Sequence, residues 1–312
     1  MFTQDKSKVS YGYYEIEPPL IKPSALTASK SGKELSDGYA LNYAIGCTHA
    51  CRFCYVDSIH RRFTRSRLLK KEKENEKKEN GKNANDDATA DASIITDRPW
   101  GMYMLIPTKE SFQHALMNTE WYRWKDKEVM LSSTHDPYLP ELYEYTRKIL
   151  EASLPYGVRY CIQTRSLLVR NDFDLLLRYK EQIRLQYSIM TLNLKLSRLL
   201  EPRVPSPYAR LNVLKEASSL GLKKIGVIIA PIFPVEGWKE DLEMLFKELS
   251  TINGNITIYG EILHRRGSNL RYIKELGINI TENLEDFDKQ VGSHFEALLA
   301  KYNLEGRYWY EQ

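Results

Sequence analysis

The feature that most narrows what this chain can fold into is a rhythm, in which short apolar runs alternate with stretches of helical periodicity. The runs are YALNYAI (39 to 45), EVMLSS (128 to 133), VRYCIQT (158 to 164), RLQYSIM (184 to 190), KIGVIIA (224 to 230) and NITIYGEI (255 to 262). Each is short, rich in β-branched or aromatic residues and bounded by polar residues, which reads as a strand. Between them, residues 139–153, 173–180, 208–220 and 239–250 carry apolar side chains at helical spacing. Strand, helix, strand repeated in this way predicts a parallel sheet with helices outside it, because a parallel crossover needs a helix-length connection. Six strands in that order suit an α/β fold, an incomplete (β/α)6 TIM-type barrel. The active site of such a barrel lies where the C-terminal ends of the strands meet the loops.

The expected organisation is a core over residues 39–265, a short N-terminal extension over 1–38 and a helical C-terminal extension over 266–312. The full 312 residues suffice for one barrel-type domain or two smaller ones. One stretch breaks the rhythm. From Leu69 the sequence reads LKKEKENEKKENGKNANDDATADA, charged and amide-rich with a single β-branched residue, Thr89. Such a segment buries too little apolar area to offset its ordering entropy, so 69–98 is expected to be a disordered insertion. A solvated helix over its Lys/Glu-rich first half is the alternative.

No apolar run reaches the ~20 residues of a membrane helix, and the opening MFTQDKSKVSYGYYEIEPP lacks the apolar core of a secretory signal. A cytoplasmic location is therefore expected, with no membrane partner. Forty-five basic against 41 acidic residues leave a formal charge of +4, which tolerates an anionic partner without demanding one.

The four cysteines are unevenly placed, with Cys47, Cys51 and Cys54 crowded together and Cys161 far away. Crowding serves a disulfide framework poorly and a metal site well. Cys47-Thr-His-Ala-Cys51-Arg-Phe-Cys54 follows the first candidate strand directly, which places it in a loop at that strand's C-terminal end. Three thiolates at these spacings can wrap one side of a [4Fe-4S] cluster and leave one iron open. Zinc, with His49 or His60 as a fourth ligand, is the competing occupant.

The pattern CxxxCxΦC, with Phe53 as the aromatic, resembles the signature of the radical S-adenosylmethionine (SAM) superfamily. Further motifs extend the similarity over roughly residues 39 to 265. They are Asn42 to Val56, Ser133-Thr-His-Asp-Pro-Tyr138 with Glu141, Thr146-Arg147, Thr164-Arg-Ser166, Glu201-Pro202 and Ala230-Pro-Ile-Phe-Pro234. Together they resemble the spore photoproduct lyase-like group, also called DNA repair photolyase-like. That resemblance implies that SAM chelates the open iron and that an electron from the cluster splits it, releasing a 5′-deoxyadenosyl radical. It implies a lyase-like enzyme acting on nucleic acid, fed by an electron donor such as a ferredoxin or flavodoxin. Radical modification of a peptide or small molecule is a second reading. A non-enzymatic, metal-stabilised nucleic-acid binder with Arg61, Arg62, Arg65 and Arg67 as its footprint is a third.

By the same resemblance the cofactor contacts are Tyr55 beside the adenine, Asp136 accepting from an ammonium or ribose hydroxyl, and Arg165 pairing the methionyl carboxylate. Ser188 bonds the methionyl or ribose part, and the backbone of Ala230 lies near the adenine. Glu201 and Arg210 read instead as a structural ion pair between a loop and a helix. One position departs from the group. Lyases that repair the spore-type thymine dimer carry a hydrogen-donating cysteine where this chain has Ser133. Cys161, inside an apolar run, reads as a buried thiol.

Overall fold

The side chains of each strand divide between two layers, and that division explains the architecture. In the computed structural model, which describes residues 12–16, 24–25, 34–61, 99–254, 256–263, 269–278 and 283–310, the main strands are β3 (Tyr39–Ala40), β5 (Glu128–Leu131), β6 (Arg159–Thr164), β7 (Ile183–Ser188), β8 (Ile225–Ile232) and β9 (Ile256–Ile262). Val129 and Leu131 of β5, Tyr160 and Ile162 of β6, Leu185 and Tyr187 of β7, and Val227 and Ile229 of β8 belong to one large apolar cluster shared with the helices. The alternate residues Ala40, Met130, Cys161 and Ile228 form a separate cluster with Leu35 and Trp309 on the other face. Both faces are buried, as the period-two alternation requires of a sheet wrapped by helices.

Between the strands run α1 (Lys109–Met117), α2 (Tyr143–Ser153), α3 (Phe173–Arg178), α4 (Leu194–Leu200), α5 (Pro207–Ser219) and α6 (Trp238–Leu249). Their starts follow ordinary capping chemistry. Ser206 accepts from the Ala209 N–H with Pro207 at the first helical position, and Asn193 accepts from Lys195 and Leu196. Two further helices, α7 (Asn269–Glu275) and α8 (Leu284–Tyr302), precede β10 (Glu305–Tyr308). At Gly260 the bare backbone of β9 receives the ring of Phe295 from α8, and a methyl group there would overlap that ring. No helix among the described residues is long and apolar enough to cross a membrane.

The eight-stranded sheet has the order β10-β9-β8-β7-β6-β5-β3-β2, where β2 is Ser24–Ala25. All pairings are parallel except that of β2 with β3. This is the expected incomplete β/α barrel of the α/β class, with each of the six sequence-derived strands present and neighbouring its predecessor. Its strand ends differ from expectation in one informative place. The run over 39–45 pairs as a strand only at Tyr39–Ala40. Beyond Leu41 the Asn42 side chain takes over, accepting at Oδ1 from the Ser133 N–H at 3.0 Å.

Four strands, β1 (Gly12–Ile16), β2, β4 (Tyr103–Pro107) and β10, were not legible in the apolar pattern. β4 pairs in parallel with β1 in a small second sheet. β10 joins the main sheet within a region whose sequence suggested only helix, because its EGRY sequence has mostly exposed side chains. The helix foreseen from residue 139 begins at Tyr143, since 136–142 is occupied by turns around Asp136 and Pro140. The insertion at 69–98 lies outside the described residues.

The floor of the barrel is closed by segments distant in sequence. Trp309 stacks on Tyr259 with ring centroids 4.8 Å apart and planes 14° apart, and its Nε1–H donates to Glu34 Oε2 at 2.7 Å. Arg307 pairs with the same carboxylate, and Arg184 donates to the Glu34 carbonyl at 2.9 Å and to Glu128 at 2.9 Å.

Candidate active site

The cysteine loop starts at a backbone position that only glycine fits comfortably. Gly46 has φ of +97°, and a Cβ there would run into the Tyr103 carbonyl of β4. Two short turns follow, with Ala50 N–H donating to the Cys47 carbonyl at 3.4 Å and Cys54 N–H to the Cys51 carbonyl at 3.2 Å. Neighbouring elements pin the loop from several sides. Arg52 N–H donates to the Leu200 carbonyl at the end of α4 at 2.9 Å, and Asn269 of α7 donates to the Phe53 carbonyl at 3.4 Å. Phe53 meets Phe233 edge-on at 6.0 Å, and the Arg165 guanidinium stands over the Phe53 ring at 5.7 Å.

The loop forms one wall of a cavity of about 290 Å³ at the C-terminal ends of the strands. Cys47, Cys51 and Cys54 all line it as free thiols. So do Tyr55, Asp136, Arg165, Ser188 and Ala230, so that every residue nominated from the sequence faces this one space. Burial pushes the Cys47 and Cys54 thiols up to about 12 and raises Cys51 as well, with neighbouring thiols adding to the effect. A metal entering here must displace protons, and the nearby Arg165 cation favours the thiolate at Cys51.

The nominated residues differ in how committed they already are. Arg165 donates from Nε to Glu201 Oε1 at 3.0 Å, and its Nη groups have no partner among the described residues. Glu201 is fully enclosed and also accepts from Arg210 at 2.5 Å, itself enclosed. This is the loop-to-helix ion pair expected from the sequence, and Arg210 also donates to the Ser188 carbonyl at the end of β7. Tyr55 is 41% exposed at the cavity mouth. Ala230 leaves the ladder: pairing of β8 with β9 skips from Ile229 to Ile232, because Pro231 has no N–H to donate.

Asp136 differs from the others. Its Oδ1 accepts from Thr164 Oγ1 at 2.7 Å and Tyr138 N–H at 2.9 Å. Its Oδ2 accepts from Arg165 N–H at 2.7 Å and His49 Nε2 at 2.9 Å. Burial alone would raise this carboxyl, but His49 and the other donors outweigh it and hold Asp136 below the ordinary carboxylate range.

His49, Trp100, Gln163, Leu35 and Trp309 also line the cavity and were not nominated as cofactor contacts. His49 could have been found from its place between two cysteines. Leu35 and Trp309 carry no local signal, since only the closed barrel brings them there. No three His, Cys, Asp or Glu side chains among the described residues form a set that would close around a single metal ion. Three thiols lining one cavity are the donor type that holds iron-sulfur clusters.

A sequence profile of the Radical SAM superfamily matches residues 41–249. The chain is 50% identical over 318 aligned residues to the uncharacterized protein ORF301 of Acidianus two-tailed virus, covering 100% of this chain and 96% of that protein. It is 24% identical over 251 residues to an uncharacterized protein of Mycobacterium bovis, covering 78% of this chain and 64% of the other. Among solved structures, a single-residue mutant of spore photoproduct lyase aligns with a TM-score of 0.61 at 14% identity, over 96% of this chain and 82% of its own. A double mutant of the same enzyme with bound AdoMet and dinucleoside spore photoproduct aligns with a TM-score of 0.59 at 15% identity, over 93% and 80%. At such identities the likeness is one of fold. The chain belongs to the radical SAM superfamily and is a radical SAM enzyme with the fold of spore photoproduct lyase.

Proposed function

We propose that Cys47, Cys51 and Cys54 hold a [4Fe-4S] cluster and that the cavity beside them binds SAM for reductive cleavage. The observation that carries this reading is the convergence of the three thiols with Tyr55, Arg165, Ser188 and Ala230 on one cavity at the strand ends. The superfamily implies both groups. Bound there, cluster and cofactor together supply an electron and a sulfonium bond whose breakage yields a 5′-deoxyadenosyl radical. The protein's part is positioning. The Arg165 Nη groups are oriented by the Glu201 anchor to meet a carboxylate, a charge-assisted pairing. Ser188 is held at the end of β7 through its carbonyl by Arg210, which keeps the residue at the cavity wall. Leu35, Met130, Ile228 and Trp309 form an apolar floor that excludes water.

The proposed substrate is nucleic acid. A spore photoproduct lyase structure of the same fold is complexed with dinucleoside spore photoproduct. Here Tyr55 stands exposed at the cavity mouth, where an aromatic face can stack a base. The proposed source of the electron is a small carrier such as a ferredoxin or flavodoxin. The test is anaerobic reconstitution with iron and sulfide, followed by dithionite and SAM. A brown protein with about four irons that releases 5′-deoxyadenosine is expected, and Cys51→Ala should lose the irons. Colourless protein with stoichiometric zinc rejects the reading. Deuterium exchange between cofactor and nucleic acid, or between cofactor and peptide, then identifies the substrate class.

A further inference from the structure

The residue that the sequence nominated as a cofactor ligand is already fully occupied by the protein. A carboxylate offers about four lone-pair positions, and Asp136 uses them on Thr164, Tyr138, Arg165 and His49. No acceptor is left for an ammonium or a ribose hydroxyl. Its most distant partner in sequence is also the most telling, because His49 lies between Cys47 and Cys51 while Asp136 follows β5. The preceding residue makes a parallel tie, Thr48 Oγ1 donating to Glu141 Oε2 at 3.2 Å. Both residues after Cys47 are therefore fastened to the segment 136–141. Through the Thr164 hydroxyl and the Arg165 N–H, the same carboxylate fixes the end of β6.

We propose that His49 and Asp136 form a clasp that holds the cysteine loop in the shape that receives the cluster, and that Asp136 is a positioning residue and not a cofactor ligand. The inference rests on the cluster reading above. A buried carboxylate is tolerated only when it is hydrogen-bonded, so the loop and the two strand ends are obliged to meet around it. The geometry thereby converts three cysteines on a short loop into a preorganised wall, as partners beyond the direct ligands do at other metal sites.

The test compares wild type with His49→Ala, His49→Gln, Asp136→Asn and the double variant His49→Ala/Asp136→Asn, all reconstituted anaerobically. Iron per chain, the visible absorption of the cluster, the rate of iron loss to a chelator and SAM affinity per loaded cluster are measured. Loss of an outer partner costs roughly 10- to 100-fold in metal retention at comparable sites, so His49→Ala and Asp136→Asn should each lose iron at least about tenfold faster. The double variant should be no faster than the worse single, because both remove one interaction. His49→Gln, whose amide still donates, should recover most of the wild-type lifetime. SAM affinity per loaded cluster should stay unchanged in His49→Ala and His49→Gln, which leave the tie between Asp136 and the Arg165 N–H in place. Should Asp136→Asn not fold, as judged by circular dichroism, His49→Ala against His49→Gln decides alone. Asp136→Asn that keeps its cluster at the wild-type lifetime while losing SAM affinity overturns the clasp, as do additive losses in the double variant. A wild type that takes up no iron-sulfur cluster overturns the cluster reading itself and the clasp with it.

Discussion

Glu201→Gln is the substitution whose cost the structure states most directly. The Glu201 side chain has no exposure, and it serves Arg210, equally enclosed, at 2.5 Å and Arg165 at 3.0 Å. Burial alone would raise its carboxyl, but Arg210 and then Arg165 outweigh that and hold Glu201 below the ordinary range. Glutamine keeps the volume and one acceptor but removes the charge. It leaves Arg210 without a counter-ion and with an Nε that already lacks a partner. Removing one member of a buried pair costs about 3–5 kcal/mol, and the retained amide oxygen places this case near the lower end. Unfolding entropy of about 2.1 cal/mol/K per residue makes roughly 0.65 kcal/mol/K for 312 residues, so a loss of about 3 kcal/mol lowers Tm by about 5 °C. The assay is thermal unfolding of the anaerobic apoprotein followed by circular dichroism. An unchanged Tm in Glu201→Gln would refute the reasoning.

Arg165→Ala should weaken SAM binding by about 1–3 kcal/mol through loss of a charge-assisted bond, read by equilibrium dialysis on the loaded protein; unchanged affinity returns Arg165 to a structural role beside Glu201. Burial lowers His60 to about 4, whereas the unfolded chain binds that proton near 6.5. Between those values the unfolded state holds more protons, so stability falls as pH drops from about 6.5 toward 4, by at most about 1.4 kcal/mol per pH unit from this group. His60→Gln should flatten the pH dependence of urea midpoints over that window, and a slope equal to wild type contradicts it. Ser133 lines the cavity, with its hydroxyl and N–H both paired to Asn42. A hydroxyl holds its hydrogen too strongly to quench a carbon radical. Offered the dinucleoside spore photoproduct, wild type should release 5′-deoxyadenosine without clean thymine recovery, and Ser133→Cys should improve it; efficient repair by the unmodified protein overturns this expectation.

The barrel was legible because its strands are buried on both faces, so KIGVIIA and VRYCIQT announce themselves as apolar runs without a partner in view. The same logic failed for β10, whose EGRY residues are mostly exposed, and for β1, whose partner β4 lies 91 residues later in the register Gly12 to Tyr103. The cysteine loop could be read from residue type and spacing, and the Glu201–Arg210 pair from the motifs shared with the resembled group. The occupancy of Asp136 could not, because its acceptors are filled by backbone and side-chain donors from three separate segments that only folding assembles. Sequence places an acid near a site, and only the counted hydrogen bonds tell whether it has anything left to offer.

The bond between Trp309 and Glu34 spans 275 positions of sequence, and both segments help to form the floor beneath the cysteines. A ribosome adding about 5–20 residues per second needs on the order of ten seconds or more to cover that interval. For most of that time the loop over 47–54 has already been made while the part of the floor that Trp309 supplies does not yet exist. Enclosure of the cysteines is thus a late event in the life of each molecule, and any metal delivered before Trp309 arrives meets an open, water-filled trough.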